Sequence, residues 1–305
     1  MKANYIYQSI FLICLAFSFL TSCSEDSFTK IVEVDLAEED KQLAVVARMN
    51  TSGDNQRILV SETLSVLDNS DSFTSLSNAK ISLTTPDAGI IEPTFDSEIN
   101  LYSLQTYEFK EGQNYSLHID HPDYAPMTAS IKVPSAPEIL DVNIQLTEPD
   151  TLSNGAIDFF PPTDIITVKI KDPANESNSY LFKGTINFKD DVTDEMYEGL
   201  YYFEVSENIL EYNDEVISDI TFNGKEYELI LLGSRNIYID GATPYSFELE
   251  VVSISEELLL YENSIDLAYD SNGNPFVEPS TIYTNFDNGF GIFTVDVTQK
   301  VEILL

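Results

Sequence analysis

Short runs in which apolar residues fall at every second position dominate this chain, and turn-forming residues close most of them. Tyr115, Leu117 and Ile119 share one face of an extended segment, while Ser116, His118 and Asp120 share the other. Ile58, Val60 and Glu62 alternate with their neighbours, and Ile81 and Leu83 do so just before the turn Pro86-Asp87-Ala88-Gly89. Ala129, Ile131 and Val133 continue the pattern up to Pro134. Segments of period two bury a single face only by pairing into sheets that pack on one another. The expected fold class is therefore mainly β, with two β-sandwich-like, immunoglobulin-like domains. Pro134-Ser135-Ala136-Pro137 supplies a stiff linker, which predicts an N-terminal sandwich over 43–134 and a β-rich domain over 138–305.

In the second half, Ile166, Val168 and Ile170 oppose Ile165, Thr167 and Lys169. Residues 227–232 and 247–252 are apolar enough for central strands, and Asn223-Gly224 reads as a hairpin turn. One helical period stands out over 254–268, where Ile254, Leu258, Tyr261, Ile265 and Ala268 recur at spacings of four and three. Ser253 with Glu256 reads as its capping box, and Asn272-Gly273-Asn274-Pro275 as its stop. This helix is expected to cover an open sheet face, and residues 291–305 to add one or two last strands.

The N-terminus has the parts of a secretory signal: Lys2, an apolar run over 10–20, then small residues. The run is about half the roughly 20 residues that a spanning helix needs. Leu20-Thr21-Ser22-Cys23 resembles the bacterial lipobox, in which the cysteine thiol takes a diacylglycerol with palmitate-type chains and small residues admit the protease. Residues 1–22 are thus expected to be a signal peptide and Cys23 the lipidation site. Residues 23–42 read as an acidic tether, with an edge strand around Lys30-Ile31-Val32-Glu33-Val34 as the alternative. Cys14 and Cys23 are the only cysteines. After processing no disulfide is possible within the chain, and packing alone must hold the fold.

Fifty-two acids against fifteen Lys and Arg give a net charge of −37. Such a surface repels nucleic acid and anionic lipid, so neither is expected as a partner. Catalytic equipment is sparse. His118 and His121 are the only histidines, and a pair at that spacing across a strand end is a weak metal site. No glycine-rich phosphate loop appears. Carboxylates are so abundant that an acid pair carries no signal. Asp270-Ser271-Asn272-Gly273-Asn274 departs from a calcium loop: its glycine comes two positions early and Thr281 stands at the place of the bidentate acid. Tyr197, Tyr201, Tyr202 and Phe203 offer sugar-stacking rings, but alternation sends half of them into a core. The expectation is a non-enzymatic protein with no catalytic residue, cofactor or metal.

Three stretches resemble a known family: residues 43–65; Gly112-Gln113-Asn114-Tyr115 through Tyr124 to Pro134; and Asn274-Pro275-Phe276-Val277-Glu278-Pro279 through Ile282-Tyr283-Thr284-Asn285 to Asn288-Gly289-Phe290-Gly291-Ile292-Phe293. They resemble the Bacteroidota lipoproteins grouped as domain of unknown function 4249. The resemblance implies a two-part β protein on the outer membrane, associated with a TonB-dependent receptor in ligand capture or uptake, and no agreed catalytic residues. It also implies that Ser24, Glu25 and Asp26, directly after Cys23, form an export signal to the cell surface, with attachment facing the periplasm as the alternative. An independent surface binding or adhesion module is the alternative, and a carboxylate-dependent hydrolase the last.

Overall fold

Burial alternates along segments 43–49, 114–121, 163–171 and 179–188, as the period-two pattern requires. The computed structural model describes residues 40–53, 56–64, 74–104, 106–147, 163–205, 216–235, 241–271 and 280–305. The first half contributes β1 (Leu43–Asn50), β2 (Arg57–Glu62), β3 (Lys80–Thr85), β4 (Gly89–Ile91), β5 (Thr94–Asp96), β6 (Leu101–Ser103), β7 (Asn114–His121) and β8 (Tyr124–Lys132). The second half contributes β9 (Glu138–Gln145), β10 (Thr163–Lys171), β11 (Ser179–Asp190), β12 (Met196–Val205), β13 (Val216–Ser218), β14 (Glu226–Arg235), β15 (Ala242–Ile254), helix α1 (Glu256–Ser271) and β16 (Phe290–Leu304).

The fold is mainly β and sandwich-like. Twelve strands form one sheet in the order β5-β6-β2-β1-β16-β15-β11-β12-β14-β10-β9, with β13 beside β11; β4-β3-β7-β8 form a second. The first core lies between the two sheets. Leu43, Val45, Ile58, Val60, Phe293 and Val295 face Ile81, Leu83, Leu117, Ile119, Met127 and Ile131. The second core is enclosed by the long sheet itself: Ile166, Val168, Phe182, Ile186, Phe203, Leu231, Phe247 and Leu249 all come from it. A sheet buries one face against itself only by curling. Accordingly, its edge strand β9 comes up beside β16, where Glu138 and Ile139 share a cleft with Gln299 and Val301.

Strand β16 is a single fifteen-residue strand that runs through both cores. Its Phe293, Val295 and Val297 belong to the first, and Val301 and Ile303 pack against the second. It pairs parallel to β1, with Val45 opposite Gly291, and antiparallel to β15. Chain entry requires glycine twice. Gly291 (φ +120°) lies so close to β1 that an added Cβ would fall 1.8 Å from the Val45 carbonyl oxygen. At Gly289 (φ +77°) the corresponding atom would fall 2.6 Å from the Leu43 oxygen. The side chain of Asn285 completes this corner by bonding both the N–H and the C=O of Phe293 at 3.0 and 2.7 Å.

Two local expectations are corrected. Helix α1 begins at Glu256 rather than at 254, and its cap is Ser255, whose Oγ accepts the Leu258 N–H at 3.2 Å. Ser253 cannot cap because it is fully buried in β15, paired with Val297. Asn223-Gly224 does turn the chain, with Gly224 at φ +73°, but it joins no paired strands. The residues before it form a 3-10 turn over Asp219–Thr221, and β13 pairs with β11 instead of β14. The predicted stop at 272–275 lies outside the described residues. As expected, α1 covers a sheet face: Leu258 packs with Val252 and Ile254, and Ser255 Oγ lies 3.2 Å from Thr294 Oγ1 of β16.

Candidate functional site

Cys23, Ser24, Glu25 and Asp26, the residues that carry the sequence argument on location, lie outside the described residues. So does the stretch around Lys30 to Val34. Among the described residues no helix is long and apolar enough to cross a membrane.

The two histidines point to opposite faces of β7. His118 is exposed, with Nδ1 3.0 Å from Thr128 Oγ1. His121 is buried, accepts the Asp123 N–H on Nδ1 at 3.2 Å, and sets Nε2 2.7 Å from Asn78 Oδ1. The Nδ1 contact closes the turn between β7 and β8. Opposite faces cannot ligate one ion. Among the described residues no three His, Cys, Asp or Glu side chains are grouped to hold a metal.

Several buried carboxylates that no local pattern revealed are held by multiple protein donors. Asp164, fully buried at the start of β10, accepts the Tyr201 O–H at 2.6 Å and the Thr147 N–H at 2.7 Å. Arg235 Nε lies 2.9 Å from its Oδ2, and Arg235 Nη2 donates to the Thr147 carbonyl at 2.6 Å. Burial, reinforced by the Asp164 hydrogen bond, pushes the Tyr201 phenol well above its ordinary value. At the other end of the sheet, Asp172 accepts the Tyr180 O–H and the Gly224 N–H. Nearby Asp219 accepts the Asn178 N–H at 2.9 Å and an Asn223 Nδ2–H at 3.1 Å. Burial first, and then the Asp172 charge, raise the Asp219 carboxyl above the usual range. These oxygens are filled by protein donors that pin loops to strand ends.

Asp296 differs. It lies on the β16 face that α1 covers, 8% exposed; its Oδ2 takes the Arg48 Nε–H at 2.7 Å, and its Oδ1 has no partner among the described residues. Desolvation outweighs the pull of Arg48 and raises its carboxyl. Arg48 in turn reaches Glu262 of α1 at 3.7 Å, so the helix is joined to β1 and β16 through one guanidinium.

A cleft of about 480 Å³ opens where the two cores meet, lined by Glu111, Pro137, Glu138, Ile139, Gln299 and Lys300 among others. Gln299, which is exposed, occupies the β16 position between Val297 of the first core and Val301 of the second. Both acids are engaged: Glu111 accepts the Ala136 N–H at 2.9 Å, and Glu138 lies 3.7 Å from Lys171 Nζ. Lys300 is held by Glu248 at 3.2 Å and by Glu250. The cleft offers hydrogen bonds and a mixed-charge rim, with no aromatic wall on which a sugar would stack. Nor do the tyrosines of β12 make one. Tyr201 and Phe203 stack inside the second core with centroids 5.7 Å apart, leaving Tyr202 exposed.

The family model described as Domain of unknown function (DUF4249) matches residues 29–300. No curated protein matches.

Proposed function

The chain belongs to the DUF4249 family, and we propose that it is a lipid-anchored, cell-surface protein of the outer membrane that acts by binding, as an accessory to a TonB-dependent receptor in ligand capture or uptake. The observation that carries this reading is Leu20-Thr21-Ser22-Cys23 placed only a few residues ahead of the family match, with Ser24-Glu25-Asp26 between. A lipidated Cys23 holds the folded part at a membrane, and residues 24–42 act as its tether. The absence of mature cysteines other than Cys23 fits a fold stabilised by packing of two cores. Charge supports a protein partner over an anionic lipid surface or nucleic acid.

Cys23→Ala tests the anchor. The variant is expected to leave the membrane fraction or to accumulate unprocessed. A variant that stays membrane-bound and is cut at the same place contradicts the reading. Replacing Glu25 and Asp26 by neutral residues is expected to reduce protease access on whole cells; unchanged access contradicts surface export by that signal.

A further inference from the structure

The end of the sheet at which β16 finishes exposes two small groups of apolar side chains. Lys189 of β11 stands opposite both Met196 of β12 and Thr243 of β15, and Ser246 of β15 stands opposite Leu304 of β16. The register shift between Asn187 and Phe188 leaves Tyr245 between those rows, and Leu305 donates its N–H to the Tyr245 carbonyl. Val192 caps the β11–β12 turn. This end thus carries Tyr245, Leu304 and Leu305 on one side and Val192 and Met196 on the other, with Lys189 and Thr243 between them; in that order the five are 46%, 71%, 44%, 90% and 51% exposed. Apolar side chains scattered singly on a surface need no explanation, but adjacent ones mark contact sites.

The surroundings of these side chains are acidic. The turn carries Asp190, Asp191, Asp194 and Glu195 against the single cation Lys189, which Asp194 already pairs at 2.7 Å. Asp190 spends its Oδ1 on the Val192 and Thr193 N–H groups, leaving its charge uncompensated by a cation, and its carboxyl is lowered by those bonds. A second copy of the chain would set acid against acid here, and an anionic lipid surface would be repelled. Fourteen strand steps, roughly 45 Å along β16, separate this end from Phe290, which stands opposite Ala44 at the start of β1.

We infer that this distal end is a docking surface for a partner protein whose contact face combines apolar side chains with lysine or arginine. The inference rests on the binding role proposed above and adds the place and chemistry of the contact. The test uses the full-length, lipid-anchored protein in its own cells, with a photo-crosslinking phenylalanine analogue placed at Val192, at Leu304, or at Ile90, which is 67% exposed on the first sandwich. The two distal positions are expected to give one shared adduct, at least about tenfold stronger than any adduct of that mass from Ile90. Asp191→Lys with Glu195→Lys is expected to weaken the Val192 adduct at least about fivefold, because like charges across an interface oppose docking. Absence of distal adducts, equal yield from Ile90, an adduct with a second copy, or indifference to charge reversal overturns the inference. A shared distal adduct with a protein other than a TonB-dependent receptor supports the docking surface while refuting the receptor. A receptor adduct confined to Ile90 does the reverse.

Discussion

Replacing Gly291 by alanine puts a methyl carbon 1.8 Å from the Val45 oxygen, 2.7 Å from its carbonyl carbon and 2.9 Å from its nitrogen. All three are backbone atoms of β1, so no side chain can swing aside. Restoring ordinary contact distance moves the strands apart by roughly 1.5 Å. That displacement disrupts the parallel ladder that pairs Ala44–Asn50 with Phe290–Asp296. Two or three weakened hydrogen bonds at about 1 kcal/mol each, with about 1–2 kcal/mol for an L residue in the left-handed half of backbone space, give about 3–5 kcal/mol. Gly89→Ala is the control: it shares a positive φ (+77°) but has nothing within 4 Å of the new carbon, so only the conformational part, about 1–2 kcal/mol, should appear. Urea unfolding of the purified proteins, followed by circular dichroism, gives both numbers. If Gly291→Ala costs no more than Gly89→Ala, the close approach of β16 to β1 is wrong, and with it the strand that joins the two cores.

Other consequences are smaller in scope. Arg48→Ala strands the buried Asp296 carboxylate and is expected to cost about 1–3 kcal/mol, discounted because Arg48 is itself well exposed, whereas Asp296→Asn should be near neutral at pH 7. Because burial raises Asp296 above its unfolded value, its protonation favours the fold. The stabilisation is present below the unfolded carboxylate range and is lost as pH rises through the folded value, so Asp296→Asn should gain on wild type in urea midpoint as pH rises from 4 to 7. Arg235→Met removes the partner of fully buried Asp164 and should cost about 3–5 kcal/mol in the same assay, against about 1–2 kcal/mol for Tyr201→Phe. Ser255→Ala should lower stability by about 1 kcal/mol through loss of the helix cap, and a Ser253→Ala variant that costs more would return the cap to Ser253.

Local periodicity made the strands legible. In β7 and β10 each second side chain is buried, as alternation requires, and the turn at Pro86-Asp87-Ala88-Gly89 joins β3 to β4. The helix face was legible as well, but its start was not. Whether Ser253 or Ser255 caps it depends on β15 pairing with β16, and that pairing leaves no trace near Ser253. The same limit applies to Asn223-Gly224, whose preceding strand found β11 rather than β14. Parallel pairing of β1 with β16 joins opposite ends of the chain, so its only sequence trace is the pair of glycines at 289 and 291. Those glycines stand in the most specific stretch of the family resemblance, and their requirement is backbone proximity. The buried acids were hidden for a related reason. In a chain with acids everywhere, Asp164, Asp172, Asp219 and Asp296 differ from the rest only in what tertiary packing places beside them. The exposed apolar side chains at the end of β16 likewise come from separate segments and have no linear motif.

Purification in mild detergent from native membranes, with the partner identified by mass spectrometry and its amount compared with that of the chain, tests the central claim most directly. A TonB-dependent receptor recovered at close to equal amounts, and lost with the Asp191→Lys and Glu195→Lys pair, is the predicted result. Repeated recovery of the chain alone would contradict it.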